Sequence, residues 1–381
     1  MAYFDAASAE PIVPEARAAL MEALEDGWAD PVRLHREGRR AALLLEQARE
    51  RIAAVLSCRT DELSFTSSGT AAAHLAVLGA VQARRSATRG PGHVVVSAVE
   101  HSSVLNAVAR LEDEGSPVTL VGVDRDGRVD LGEFAASVRR DRTVLACLQS
   151  ANHEIGTIQP ASTAAEDCQA ARVPLFVDAA ASAGRMPLPE GWSLLAASGH
   201  KFGGPPGVGM LAVRKGVRWK APLPPDSREG RRVPGFPDLP AIVAAAAALE
   251  AASARQAAAD VELRALTDLI RDRVPALVPD CVVHGNRAFS LPHIVTFSCL
   301  YLDGEALVTE FDKAGFSVSS GSACASETAQ PSHVLAAMGA LTHGNVRVSL
   351  PAGATRDSVE EFLRVLPDIV SRLRESVGHW V

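Results

Sequence analysis

The chain has few aromatic residues and lacks the signatures of several classes of protein. Phe, Trp and Tyr make up 4% of its 381 residues. Alanine is abundant instead, which favours many closely packed helices. The net charge of −7 argues against a nucleic-acid-binding protein that relies on a basic surface of its own. We find neither a secretory signal nor an apolar run long enough to span a bilayer, so we expect a cytoplasmic protein without a membrane segment.

The cysteines form no recognisable metal or disulfide motif. None of the six belongs to a CxxC pair or to a Cys/His cluster with zinc-ligand spacing. We therefore expect no metal site, and in a chain of this length without a secretory signal we expect no disulfide framework. Cys147 and Cys299 lie in apolar strand-like segments, which predicts buried, unreactive thiols. Cys324 lies among the small residues 319–326, a composition typical of a mobile loop, and is the candidate nucleophile.

Strand-like and helix-like segments alternate through the first two thirds of the chain. This predicts an α/β fold with a mostly parallel central sheet flanked by helices. The length suggests more than one core, and we predict a large α/β domain formed by residues 13–250. Residues 1–12 and 251–381 are predicted to form a smaller α+β domain. Pro367 lies in the last predicted helix, at 358–377, and is expected to kink or break it.

A lysine follows one of the predicted buried strands. The apolar segment 194–197 leads into Ser198, His200 and Lys201, and a glycine-rich turn comes next. Partial desolvation lowers the pKa of such a lysine and prepares it for Schiff-base chemistry. Taken alone, Lys201 is more simply interpreted as a surface lysine on a turn.

Polar residues also follow four other predicted strands. They are Gly69 and Thr70 after strand 63–66, His101 after strand 93–98, Asn152 and His153 after strand 144–149, and Asp178 after strand 175–177. A helix start can bind an anion, and a buried acid is costly unless it pairs with a cation such as a protonated pyridine nitrogen. Each residue also has an ordinary interpretation as a helix cap or a turn residue. Because ligands bind beyond the carboxyl ends of parallel strands, the coincidence at five strand ends predicts a cofactor site.

The motifs at these positions resemble those of the NifS/IscS-like cysteine desulfurases, which are pyridoxal-phosphate (PLP) enzymes of aminotransferase class V with fold type I. The resemblance covers nearly the whole chain. It is carried by Tyr3-Phe4-Asp5-Ala6-Ala7, Glu100-His101, Asn152-His153-Glu154-Ile155-Gly156, Val177-Asp178-Ala179, Ser198-Gly199-His200-Lys201, Ser319 to Cys324 and Arg347-Val348-Ser349-Leu350. The lysine and cysteine motifs are specific in combination, and the others support them.

The resemblance implies a homodimeric, PLP-dependent L-cysteine desulfurase. Such an enzyme converts L-cysteine to L-alanine and leaves the sulfur as a persulfide, here on Cys324, for transfer to an acceptor protein. Lys201 would bind PLP as a Schiff base and remove the substrate's α-proton. The other implied contacts are those of Asp178 with the ring nitrogen, His101 with the ring face, Gly69, Thr70, Ser198 and His200 with the phosphate, Arg347 with the substrate carboxylate, and Asn152 with the cofactor or substrate.

Several positions depart from the family pattern, and three of them bear on contacts with the cofactor. The family usually has Gln where this chain has Ala181, and Asn where it has His153. We expect His153 to take over part of the cofactor contact that Ala181 cannot make. Phe236 replaces the threonine with which the family reaches the phosphate bound by the partner subunit, which puts that cross-subunit contact in question.

Other functions stay open from the sequence. A selenocysteine lyase or another class V enzyme, such as an aminotransferase, is an alternative, although an ordinary aminotransferase has no need of a thiol such as Cys324. A non-catalytic scaffold that kept the fold is a further alternative, against which the joint presence of Lys201, Asp178 and Cys324 argues. The residues do not decide whether the sulfur serves iron–sulfur assembly, tRNA or DNA modification, or a biosynthetic pathway.

Overall fold

The computed structural model describes residues 1–88, 91–224, 226–321, 331–376 and 378. Cys324 lies outside these residues. The strands are β1 (Ala2–Tyr3), β2 (Leu63–Thr66), β3 (His93–Ser97), β4 (Val118–Val121), β5 (Thr143–Cys147), β6 (Leu175–Asp178), β7 (Leu194–Ser198), β8 (Gly209–Val213), β9 (Cys281–Val283), β10 (Ile294–Cys299), β11 (Phe316–Ser317) and β12 (Asn345–Ser349). The helices are α1 (Pro14–Asp26), α2 (Arg36–Val55), α3 (Gly69–Thr88), α4 (Ser102–Asp113), α5 (Leu131–Ser137), α6 (Ala161–Ala171), α7 (Leu239–Leu277), α8 (Gly304–Lys313), α9 (His333–Ala337) and α10 (Arg356–Ser376).

Seven strands form the central sheet in the order β2-β8-β7-β6-β5-β3-β4. Strand β8 is antiparallel to both of its neighbours, and the remaining neighbouring pairs are parallel. Strands β2 to β7 therefore all run in one direction, and their carboxyl ends lie at one edge of the sheet. The predicted α/β fold with a mostly parallel sheet is confirmed.

Both faces of the central sheet are covered by apolar helices. Val95 packs with the core on one face, whereas Val94 and Val96 pack with the core on the other, as the alternation of side chains along a strand requires. Strands covered on both faces are apolar along their whole length, which is why β3, β5 and β7 are buried throughout. The many alanines allow the helices to lie close to the sheet.

A second apolar core is built on the antiparallel sheet β12-β10-β9. Phe297, Phe311 and Phe362 lie in this core, and the N-terminal Phe4 joins them. Helix α7 contributes to both cores, because Leu249 packs in the first and Ile270 in the second. The helix runs without a break through residue 250, where the sequence analysis divides the chain. That division stays a prediction.

Cys281 and Cys299 form a disulfide, so the prediction of a free thiol at Cys299 is wrong. The two residues are 18 apart in sequence and lie directly opposite each other on the antiparallel strands β9 and β10, with Cα atoms 4.3 Å apart. The pairing depends on the register of the two strands, which the spacing of the cysteines does not reveal. Cys147 is a buried free cysteine, as predicted.

Pro367 lies inside α10, which continues through it, so of the predicted kink or break the break does not occur. Phe362, Leu366 and Val370 lie along the buried side of α10. Burying this apolar side against the second core offsets the hydrogen bond that a proline removes from a helix. Among the described residues, no helix is both long and apolar enough to cross a membrane.

Candidate active site

A cleft opens at the edge of the central sheet where the parallel strands end. Its volume of about 130 Å³ is far larger than a single water molecule needs, which is roughly 10–15 Å³. The lining residues are Ser68, Gly69, Thr70, His101, Ser103, Gln149, Ala151, His153, Asp178, Ala180, Ala181, Ser198, His200 and Lys201. The structure thus brings together residues from all five predicted strand ends.

One end of the cleft is suited to an anion. Gly69 begins α3, a helix of 20 residues, and the free N–H groups of such a start attract negative charge. A Cβ atom at Gly69 would stand 2.8 Å from the Cβ of Ser198, so only glycine fits there. Ser198 Oγ lies 3.1 Å from Nδ1 of His200. Ser68 and Thr70 also line this part of the cleft.

His200 supplies a neutral hydrogen-bond donor at this end of the cleft. Burial, together with the charge of Lys201, lowers the pKa of His200 to about 4. The imidazole is therefore neutral near pH 7 and can donate a hydrogen bond without carrying a charge of its own. Hydroxyl, imidazole and helix start meet within one part of the cleft, which is the donor set that a phosphate group needs.

At Asp178, the last residue of β6, the cleft is suited to a cation instead. This residue is buried, and the N–H of Ala180 donates to its Oδ1 at 2.9 Å. Burial raises the pKa of Asp178, and the nearby His101 and Lys201 counteract this in part. A carboxylate in this position is stabilised by a cationic partner inside the cleft.

Lys201 lies in the short turn that follows β7. Its ammonium donates to the carbonyl of Ala7 at 2.6 Å. The N-terminal arm, residues 1–12, therefore reaches the cleft. The arm is held beside the lysine by a buried ion pair, in which Arg185 Nη2 lies 2.5 Å from Glu10 Oε2. Arg185 also donates to the carbonyl of Lys201 at 3.4 Å. The lysine is therefore fixed by its own turn and by the first residues of the chain.

Two histidines lie edge to face on one wall of the cleft. The ring centroids of His101 and His153 are 4.9 Å apart, with an angle of 72° between the planes. His101 caps α4, because its Nδ1 accepts from the N–H of Ser103 at 3.1 Å. The ordinary interpretation of His101 as a cap residue is thus correct, and the residue lines the cleft as well.

His153 is the more unusual of the two. Burial, followed by the charge of His101, lowers the pKa of His153 well below its ordinary value. Its Nδ1 is buried and has no hydrogen-bond partner among the described residues. Ala181 lines the same cleft. A buried polar atom without a partner is costly, so His153 is suited to a ligand.

Two of the predicted site residues do not line the cleft itself. The side chain of Asn152 is fully buried, donates to the carbonyl of Val99 and accepts from two backbone N–H groups, as in an Asx turn. Arg347 donates to Asp5 at 2.7 Å and to the carbonyl of His153 at 3.0 Å. Its Nε is buried and has no partner among the described residues.

No role was assigned from the sequence to Ser68, Ser103 and Gln149, which line the cleft, or to Glu100, which contacts Gln149. Gln149 lines the cleft and its N–H donates to Glu100 Oε1 at 2.6 Å. Glu100 is fully buried, and burial raises its pKa to about 8. Gln149 and Glu100 lie at strand ends that were already suspected, so their position was the signal that could have identified them.

The comparisons with known proteins identify the class. The aminotransferase class-V family profile matches residues 2–362, and the chain belongs to this family. A relative within it is cysteine desulfurase IscS 1 of Archaeoglobus fulgidus, which is 36% identical over 380 residues that cover 98% of each chain.

Solved structures agree with this similarity. A NifS-like protein superposes with a TM-score of 0.90 at 27% identity, covering 98% of this chain and all of the other. The structure of SspA in complex with cysteine superposes with a TM-score of 0.78 at 25% identity, covering 92% of this chain and 99% of that one. The predicted resemblance to NifS/IscS-like cysteine desulfurases is confirmed.

Proposed function

We propose that the protein is a PLP-dependent L-cysteine desulfurase that leaves the sulfur of its substrate as a persulfide on Cys324. The observation that carries this proposal is the convergence of Lys201, Asp178, His101 and the start of α3 in one cleft. The similarity to proteins named cysteine desulfurase supports the choice of substrate. A sulfur-acceptor protein is part of the proposal, because a persulfide must be passed on before the next turnover.

The residues of the cleft fit PLP. Its phosphate suits the end formed by Gly69, Thr70, Ser198 and His200, and its ring nitrogen suits the buried carboxylate of Asp178. The unpartnered Nδ1 of His153 is available to a polar atom of the ring. When bound, PLP supplies an electron sink for the carbon atoms of the substrate.

The residues of the chain have separate tasks in this proposal. Lys201 holds the cofactor through Nζ and removes the α-proton of L-cysteine. Arg347 binds the substrate carboxylate, and Asp5 holds its guanidinium in place. The thiolate of Cys324 attacks the substrate sulfur, so that an S–S bond forms, the C–S bond breaks and the carbon atom takes up a proton. The products are alanine and a persulfide, and no external oxidant is needed.

Replacing the proposed nucleophile tests the reaction directly. Cys324→Ser should retain the visible absorbance of bound PLP and should still bind cysteine, but it should release no sulfide under reductant. Mass spectrometry of the wild-type protein after a single addition of cysteine should show added sulfur on the peptide that contains Cys324.

Cys58→Ser is the matched control. Cys58 is a free cysteine whose pKa is raised to about 11 by burial, so its thiol is protonated and unreactive near pH 7. This variant should behave as the wild type. Normal turnover by Cys324→Ser, or sulfur found on Cys58 or Cys168, would contradict the proposal.

Lys201→Ala should lower turnover by roughly 10³-fold or more, because it removes both the covalent attachment and the proton carrier. The yellow colour that borohydride bleaches in the wild type should be absent from this variant. Lys215→Ala removes an exposed lysine and should change neither property. Thermal unfolding of both variants checks that the fold is retained, and near-normal turnover by Lys201→Ala would refute the assignment.

We propose that His153 replaces the cofactor contact that Ala181 cannot make. His153→Ala should then move the pH-dependent change of the visible band to higher pH, since a donor that stabilises the deprotonated form is lost. PLP should bind roughly tenfold more weakly, which corresponds to about one hydrogen bond. Adding Ala181→Gln, which introduces the usual residue of the family, should partly reverse both the spectral shift and the loss of PLP affinity. Spectra and PLP affinity unchanged in His153→Ala would show that the histidine is a turn residue.

We propose that the protein is a homodimer. The segment between α1 and α2 exposes Trp28 (66%) and Leu34 (87%). These apolar side chains suit a contact with a second copy. Small-angle scattering at micromolar concentration should give the mass of a dimer, and Leu34→Glu should shift it towards the monomer. Val261→Glu introduces the same charge at an exposed position of α7 and should leave the dimer intact. A fully active wild-type monomer would overturn this proposal.

A further inference from the structure

Glu154 contacts two described residues that lie on either side of the segment that contains Cys324. Ser332 Oγ donates to Glu154 Oε2 at 2.5 Å. Gly321 lies against the same oxygen, because a Cβ atom added to this glycine would stand 2.6 Å from Glu154 Oε2. Gly321 and Ser332, which lie on either side of residues 322–330, are therefore brought together at one carboxylate oxygen.

The surroundings of these residues hold them firmly in place. The N–H of Gly321 donates to Asn345 Oδ1 at 2.6 Å, and the hydroxyl of Thr296 donates to the carbonyl of Glu154 at 2.6 Å. Ser332 also caps α9 by accepting from the N–H of Leu335 at 3.1 Å. The contacts come from β10, β12 and α9, so this is a junction between separate elements of the fold.

The other carboxylate oxygen of Glu154 faces the cleft histidines. Glu154 Oε1 lies 3.7 Å from Nε2 of His153, whose ring packs edge to face against His101. Burial raises the pKa of Glu154, whereas the hydroxyl of Ser332 and the nearby His333 and Arg347 act in the opposite direction. One buried side chain thus touches both borders of segment 322–330 and the wall of the cleft.

We propose that Glu154 is a positioning residue for sulfur transfer. It sets the two points between which segment 322–330 extends, relative to His153 and the cleft, and it does not touch the substrate. The inference rests on the proposed function, in which Cys324 accepts the sulfur. Its specific consequence is that the rate of persulfide formation depends on the contacts at Glu154 Oε2, while binding of PLP and cysteine does not.

The first test disturbs the junction from the two border residues and leaves Glu154 itself unchanged. Ser332→Ala removes the donor to Oε2, and Gly321→Ala places a methyl group against the same oxygen. Holoenzyme variants are mixed with cysteine in a single turnover. The visible spectrum then reports PLP and cysteine binding, and mass spectrometry of the Cys324 peptide reports the rate of persulfide formation.

We expect both variants to bind PLP and cysteine as the wild type does, and to form the persulfide on the order of 10- to 100-fold more slowly, as for a small misplacement of reacting groups. Ser332→Thr keeps the hydroxyl and should restore most of the rate. Gly122→Ala is the matched control for the glycine, since its Cβ would meet nothing nearer than Glu133 Oε2 at 3.6 Å. It should form the persulfide at the wild-type rate.

A double variant separates positioning from a general loss of structure. If the methyl group of Gly321→Ala acts through Glu154, its effect should be smaller in a Glu154→Ala background than in the wild type, so the two effects should not add. Wild-type persulfide rates in both Ser332→Ala and Gly321→Ala would overturn the inference and leave the proposed function intact. If the variants also lose thermal stability and PLP binding as persulfide formation slows, the inference would likewise be overturned. A wild-type protein without sulfur on Cys324 would overturn the proposed function, and this inference with it.

Discussion

The shared direction of strands β2 to β7 is the constraint on which the site depends. Because these strands are parallel to one another, their carboxyl ends lie at one edge of the sheet, and each short connection places polar side chains there. Antiparallel β8 adds a hairpin after β7, in which Gly199 N–H bonds to Val208 O at 2.9 Å. This hairpin closes the turn that presents Lys201 to the cleft.

Burial gives the cleft its electrostatic character. It raises the pKa values of Asp178 and Glu100 and lowers those of His153 and His200. These shifts all favour the neutral form of the side chain. A ligand with a phosphate at one end and a protonated ring nitrogen at the other provides the charges that the buried groups and the helix start can stabilise.

The N-terminal arm joins the two cores across this cleft. Ala7 accepts from Lys201 of the first core, while Asp5 pairs with Arg347 of the second. Ala6 donates to the carbonyl of Ser349 at 3.0 Å, and Glu10 donates through its N–H to the carbonyl of His200 at 2.8 Å. The lysine and the arginine proposed for the reaction are thus aligned by the same few residues. A change in the arm therefore affects both.

Local patterns were sufficient to predict five strands of the central sheet and the site residues that follow them. Largely apolar runs of three to six residues identified the buried strands. The polar residues that soon follow each run then had to lie at the ligand-binding edge once the sheet was parallel. Lys201, Asp178 and His101 could be predicted in this way because their positions depend on the chain close to them.

The remaining features were decided by contacts between distant parts of the chain. The Cys281–Cys299 disulfide depends on strand register, the continuous helix around Pro367 depends on burial of its apolar side, and the pairing of Arg347 with Asp5 joins opposite ends of the sequence. The meeting of Gly321 and Ser332 at Glu154 is of the same kind. The sequence by itself determined which residues could react and the edge of the sheet at which they lie. Tertiary packing alone decided which buried groups face one another, because those contacts arise only when β10, β12 and the N-terminal arm come together.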